Sequence, residues 1–243
     1  MIEVQDLTVS YGSGRRLLAV DRVSFHVPQG ELLAIVGPSG CGKSSVLFAL
    51  DGLLPLTGGS IHIGGEPVRG IRRDVALILQ DAGLLPWKTV RQNAELGLRV
   101  QRRRADVGGV LDQLGLANFE RHFPGELSEG MKRRVGIARA LALRPQVLLM
   151  DEPMANLDSL TRERIQNLIL ELWRELGLTG VLVTHDVEEA AFLGRRVLVL
   201  TARPASVRAV VDNPGMGTAG YRDSDDFQAL TRQLRQLLLE VAA

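Results

Sequence analysis

One cysteine in 243 residues, Cys41, excludes an internal disulfide and fits a reducing compartment. No apolar run approaches the roughly 20 residues that a membrane-spanning helix needs. The N-terminus Met1-Ile2-Glu3-Val4-Gln5-Asp6 lacks the pattern of a secretory leader, so the chain is expected to stay in the cytosol. Neither sign of charge dominates: 29 Lys and Arg face 28 Asp and Glu, a net +1. That balance gives no reason to expect a nucleic-acid-coating or strongly membrane-adsorbing protein. Internal repeats and low-complexity tracts are also missing. What is present, 45% hydrophobic content, suffices for one domain with a large core and room for an inserted lobe.

Two kinds of apolar pattern organise the chain. Val23-Ser24-Phe25-His26-Val27 and Ile61-His62-Ile63 alternate, which predicts half-buried strands in an antiparallel N-terminal region. By contrast, Leu32 to Val36, Val75 to Leu79, Val147 to Met150, Val181 to Val183 and Val197 to Leu200 are continuously apolar, as strands covered on both faces are. Helical stretches separate most of them, which predicts a parallel α/β core. Between Pro86 and Pro145 the periodicity turns helical, with a capping box at Thr89-Val90-Arg91-Gln92 and a cap at Ser128 for a helix through Ile137 and Leu141. Asp186-Val187-Glu188-Glu189 reads as a second capping box, and Phe227 to Val241 as an amphipathic helix after a Gly/Pro/Asp-rich segment. Arg102-Arg103-Arg104 and Arg195-Arg196 read as solvated helix ends, with lipid headgroups the other candidate partner.

Gly37-Pro38-Ser39-Gly40-Cys41-Gly42-Lys43-Ser44 fits G-x-x-x-x-G-K-[ST] and lies between the apolar run Leu32 to Val36 and Ser45-Val46-Leu47-Phe48-Ala49-Leu50. Strand, loop and helix thus follow in the order a phosphate-wrapping loop requires. Glycines let successive N–H groups turn toward phosphate oxygens, and a helix starting near Lys43 points its positive end at the same anion. Lys43 would reach the β- and γ-phosphates, and the Ser44 hydroxyl would ligate Mg²⁺. Cys41 either fills a variable loop position or, with a thiol pKa lowered by the helix N-terminus, brakes nucleotide binding on oxidation.

Other strand ends carry matching chemistry. Val147-Leu148-Leu149-Met150-Asp151-Glu152 is an apolar strand ending in two acids: Asp151 would hold Mg²⁺ through water, and Glu152 would act as general base on the attacking water. Gln80, after Val75 to Leu79, would touch the metal or its water, and His185, after Val181 to Thr184, the γ-phosphate. Tyr11, followed by Gly12, would stack on adenine or pack as a strand-end tyrosine.

These residues, with Leu127-Ser128-Glu129-Gly130-Met131, Asp151-Glu152-Pro153, Asn156-Leu157-Asp158 and Thr184-His185-Asp186, make the chain resemble the ATP-binding subunit of an ABC transporter over residues 1 to about 210. The resemblance implies an α/β fold: a P-loop NTPase (RecA-like) core over 1–85 and 146–210, with an N-terminal antiparallel β subdomain and an inserted α-helical subdomain over 86–145, then a tail helix within 211–243. It implies a nucleotide site running from Gly37 through Ser45, with Tyr11 on the base, and hydrolysis of ATP with Mg²⁺. It also implies a head-to-tail dimer, a homodimer as the first expectation, in which Ser128 and the Gly130 amide of one subunit donate to the γ-phosphate held by the other while Asp158 sits at the seam. The family signature reads Leu-Ser-Gly-Gly-Gln; Glu129 and Met131 depart from it. A carboxylate there would slow turnover by repelling phosphate unless it turns outward or Lys132, Arg133 or Arg134 compensates.

Asp81-Ala82-Gly83-Leu84-Leu85-Pro86-Trp87, Asp186 to Ala190 and Thr201-Ala202-Arg203-Pro204 are similar to importers for nitrate, sulfonates and taurine. That implies a bacterial subunit on the cytoplasmic side of the inner membrane, working with a separate permease docked at Leu84 to Trp87, and with a solute-binding protein. Two alternatives stand beside it: a nucleotide-switched module on DNA or ribosomes, and a low-activity subunit of a heterodimer. Intact Lys43, Glu152 and His185 speak against the latter.

Overall fold

The computed structural model describes residues 1–12 and 17–242, which divide into two compact units: Met1–Arg72 with Leu176–Ala243, and Arg73–Glu175. Among the described residues no helix is long and apolar enough to cross a membrane.

The first unit opens with β1 (Ile2–Tyr11), β2 (Leu17–Val27), β3 (Leu32–Val36), α1 (Lys43–Leu50), β4 (Gly58–Ile63) and β5 (Glu66–Pro67). The second unit carries β6 (Val75–Ile78), short helices α2 (Val90–Ala94), α3 (Leu96–Val100) and α4 (Gly108–Gln113), then α5 (Glu129–Leu141), β7 (Val147–Asp151) and α6 (Ser159–Leu176). The first unit resumes with β8 (Thr179–Val183), α7 (Val187–Leu193), β9 (Arg196–Leu200), β10 (Val207–Asp212) and α8 (Asp225–Ala242).

In the first unit β2-β1-β4-β5 form an antiparallel sheet, as the alternating patterns in β2 and β4 predict. A β1–β2 register shift falls between Val4 and Leu7, where Asp6 adopts φ +48, so β1 does not alternate evenly. The buried β3 pairs in parallel with β8 on one side and β9 on the other, and β10 closes the edge beyond β9 antiparallel. All five side chains of β3 are at most 1% exposed, which is why its sequence is continuously apolar.

Arg196 is not a solvated helix end. It begins β9, and its side chain bonds the Glu31 carboxylate and the His26 carbonyl oxygen, the latter at 2.8 Å. An Arg fork can hold both oxygens, and the sequence gives no sign of partners so distant. Farther on, α8 seats the buried Phe227, Leu230 and Leu234, while buried Asn213 donates to the carbonyls of Ala191 and Gly194 at 2.7 Å each and accepts from the Tyr221 hydroxyl. The tail is therefore stitched to the end of α7.

In the second unit β6 and β7 run parallel, with Ile78 opposite Met150. The Thr89 capping box is present in both halves: the Gln92 N–H donates to Thr89 Oγ1 at 3.3 Å and the Thr89 N–H to Gln92 Oε1 at 3.1 Å. No strand occurs among the described residues between Pro86 and Pro145.

Candidate functional site: a phosphate loop and a row of strand ends

Gly37 to Gly42 leave β3 and enter α1 at Lys43. Gly42 is the N-cap with φ +127, and a Cβ there would stand 2.8 Å from the Ala19 carbonyl oxygen; only glycine fits that turn without strain. At Gly37 a Cβ would meet Cys41 Sγ at 2.9 Å. Lys43 is 6% exposed, and its ammonium donates to the carbonyls of Gly37 at 2.9 Å and Pro38 at 3.0 Å. The loop is thus shaped around a buried cation. Ser45, also buried, exchanges a 2.8 Å hydrogen bond with the Tyr11 hydroxyl at the end of β1. Tyr11 itself is 40% exposed, which leaves ring surface available.

Cys41 does not support the redox reading. It is 1% exposed, and burial pushes its thiol pKa up more strongly than the nearby Lys43 charge pulls it down. A buried, protonated thiol is a poor nucleophile, so Cys41 serves as a small apolar filler under Gly37.

His185 is exposed at the end of β8 in the same unit. The Thr184 N–H donates to the Ile35 carbonyl at 3.1 Å, which ties this strand end to the strand that feeds the phosphate loop. The turn after His185 differs from the expected capping box. Asp186 accepts from the N–H groups of Glu188 and Glu189, but the Asp186 N–H donates to Thr184 Oγ1 at 3.0 Å, and buried Glu189 accepts from that same hydroxyl. Glu189 braces Thr184 instead of reaching back to the cap, because the buried hydroxyl lies within its reach.

In the second unit the parallel β6–β7 pairing brings Gln80 and Asp151 out at one edge, where both line a cleft of about 560 Å³ with Asp81, Glu129, Arg133 and Asn156. Glu152 follows with φ +44, the left-handed region that strains a non-glycine residue and that recurs at functional turns. Ser128 caps α5, accepting from the Met131 N–H at 3.3 Å. Gly130 is buried, and a Cβ there would stand 2.6 Å from Thr161 Cγ2, so packing against α6 demands glycine in addition to any role for its amide. Asp158 is exposed and accepts from the Thr161 N–H at 3.0 Å, which holds its carboxyl below the usual range. The Glu129 carboxylate is 70% exposed and pairs with Lys132 Nζ at 2.7 Å. It turns outward, with its charge partly met.

Three residues in this unit were invisible to motif reading. Asn93, 0% exposed, accepts from the Leu85 N–H at 2.8 Å and donates to the carbonyls of Leu85, Lys88 and Thr89 at 2.9–3.2 Å, fixing the loop that leaves Trp87 69% exposed. Arg139 donates to the carbonyls of Ala82 and Gly83. Arg133 donates to those of Leu79 and Ala155. Each is a side chain satisfying a loop's backbone, a pairing set by tertiary neighbours and not by spacing.

Among the described residues no group of three or more His, Cys, Asp and Glu gathers into a metal cluster. The donors each unit offers, the Ser44 hydroxyl in the first and the Gln80 amide and Asp151 carboxylate in the second, are hard oxygens in small number. That suits Mg²⁺, which takes few protein ligands and completes its shell with water and phosphate.

A glycine loop running from a parallel strand into a helix, with acids and amides at further strand ends, defines a P-loop NTPase. A family profile described as "ABC transporter" matches residues 20–155, and the chain belongs to that family. It is 43% identical over 213 residues to the nitrate import ATP-binding protein NrtD of a Synechocystis species, covering 85% of this chain and 80% of that one. Against the taurine import ATP-binding protein TauB of Rhizobium johnstonii it is 44% identical over 219 residues, covering 87% and 84%. Among solved structures it resembles a dimeric ATP-binding cassette in a post-hydrolysis state bound to ADP and Pi, at TM-score 0.78 and 32% identity over 89% of this chain and all of that one.

Proposed function

We infer that this chain is the ATP-binding and ATP-hydrolysing subunit of an ABC importer, with the nitrate, sulfonate and taurine group as its class. The observation that carries the reading is 43–44% identity, over at least four-fifths of each chain, to proteins named for nitrate and taurine import.

The residues divide the chemistry as follows. Backbone amides from Gly37 to Ser45 and the start of α1 receive the phosphates, Lys43 neutralises the β- and γ-phosphates, and Tyr11 stacks on the base. Ser44, with Gln80 and Asp151, would hold Mg²⁺, which when bound would supply charge neutralisation on the phosphates. Glu152 accepts a proton from water as the water oxygen bonds to the γ-phosphorus and the bond to the bridging oxygen of ADP breaks, releasing phosphate. His185 donates to the γ-phosphate. In a homodimer, Ser128 and the Gly130 amide complete the site held by the other subunit, and Asp158 lies at the seam.

ATP binding favours the closed dimer and hydrolysis the open one, and this change in population drives the permease. The apolar loop Leu84 to Trp87, bonded by Asn93, serves as the docking element for that permease, and on this reading the subunit works at the cytoplasmic face of a bacterial inner membrane with a solute-binding protein on the other side. Affinity purification from detergent-solubilised membranes tests this. A multi-span membrane protein should accompany the chain; recovery of ribosomes or DNA in its place would contradict the reading.

A further inference from the structure

Arg133 lies on the cleft that Gln80 and Asp151 line, half-buried on α5. One arm of its guanidinium donates to the Ala155 carbonyl at 3.1 Å and the other to the Leu79 carbonyl at 3.4 Å. Leu79 is the residue before Gln80. Ala155 stands between Glu152 at φ +44 and Asn156 at φ +63, two non-glycine residues in the left-handed region. Each such residue is strained and keeps its conformation only where the surroundings over-determine it.

Several contacts lie within that turn and the helix that follows it. Ala155 N–H donates to the Glu152 carbonyl at 3.1 Å, Leu157 N–H to the Met154 carbonyl at 3.4 Å, and the Arg162 side chain to the Leu157 carbonyl at 3.2 Å. These are local to the turn and its own helix. Arg133 reaches the turn from another element, α5, and bonds the turn and the end of β6 with the two arms of one rigid fork. Burial pulls its pKa down while Asp81 and Glu129 oppose the shift, so the cleft's carboxylates favour the charged form.

We propose that Arg133 is a positioning residue that sets the spacing between the strand end bearing Gln80 and the strained turn bearing Glu152, and ties both to the helix headed by Ser128. This rests on the assignment of Gln80 and Glu152 to the hydrolytic site. The guanidinium suits the task because its donors are fixed in one plane and reach two carbonyls at once; a lysine at this place can satisfy one.

The test uses the full-length protein and compares Arg133→Ala, Arg133→Lys and Glu152→Gln with the wild type. It reads kcat and KM for ATP, and amide hydrogen exchange in peptides covering 79–82, 152–158 and, as a control, 37–45. In Arg133→Ala, kcat should fall about ten- to a hundredfold with KM within about twofold, the scale of a misplaced catalytic group. Exchange should rise in 79–82 and 152–158 together and stay unchanged in 37–45. Arg133→Lys should lie between.

Wild-type kcat in Arg133→Ala beside an inactive Glu152→Gln would overturn the proposal while leaving the assignment of the base intact. Exchange that rises equally in 37–45 would mark a general structural role and also overturn it. Wild-type turnover in Glu152→Gln would remove the assignment on which the proposal rests. Should Arg133→Ala fail to fold, Arg133→Lys decides: reduced kcat at unchanged KM supports the proposal, and wild-type kcat overturns it.

Discussion

The ammonium of Lys43 lies 2.9 Å from the carbonyl oxygen of Gly37, so the lysine near the end of the phosphate loop is bonded to the glycine that begins it. The carbonyl oxygens of Gly37 and Pro38 thus hold the cation inside the loop. Lys43→Ala should lower ATP turnover by about 10²–10³-fold, the usual effect of removing one preorganised charge-stabilising donor. A steady-state phosphate-release assay measures it.

Glu129 replaces the family's glycine beside Ser128, the residue proposed to meet the γ-phosphate, and its pairing with Lys132 at 2.7 Å carries the carboxylate outward. An ion pair this exposed contributes at most about 1 kcal/mol to stability. With the carboxylate exposed and paired, Glu129→Gly should therefore change turnover by less than about tenfold, and a larger rise would show that repulsion persists. Unchanged turnover and unchanged ATP-dependent dimerisation would show that the outward turn already removes the penalty.

Asp51 closes α1, is 7% exposed, and burial raises its carboxyl pKa from 3.8 to about 6. An acid whose pKa is raised on folding favours the folded state when protonated. Its contribution therefore declines as pH rises from about 4 and is fully lost above about 6, a change on the order of 2–3 kcal/mol. Asp51→Asn should flatten the stability profile between pH 4 and 8, with most of the difference below about 6, and make the protein more stable than wild type at pH 8. Urea titrations at both pH values check this.

Asn93 satisfies four backbone groups of the loop that presents Trp87. Asn93→Ala leaves buried polar groups unpaired, at about 2–3 kcal/mol of stability. ATP binding by the purified subunit should stay near wild type, since the phosphate loop is untouched, while co-purification of the permease should fall. Denaturant melts and pull-downs separate the two effects.

The sequence made legible whatever depends on local pattern. The buried strands β3, β7, β8 and β9 read as continuous apolar runs because both faces are covered, and the Thr89 box read correctly because capping is a three-residue interaction. Strand β1 was legible only through its end at Tyr11 and β10 was missed: Asp6 breaks the alternation of the first, and Val210, 47% exposed beside Val211, blurs the second. At the site, the loop glycines and acids were readable because their chemistry requires those residue types at those positions. Asn93, Arg133 and Arg139 were not, since a polar side chain that satisfies a distant loop leaves no periodic trace. Glu189 shows the same limit at close range, where a buried threonine took the carboxylate that capping spacing assigned to a backbone N–H.

The assignment of Glu152 as the base that activates water for ATP hydrolysis in a nucleotide-bound dimer is tested most directly by measuring turnover and mass in solution for Glu152→Gln. With ATP and Mg²⁺, this variant should lose nearly all phosphate release and run as a stable dimer in light scattering, because it binds nucleotide and cannot reopen. A variant that hydrolyses ATP at the wild-type rate, or that remains monomeric with ATP across a range of salt, would contradict it.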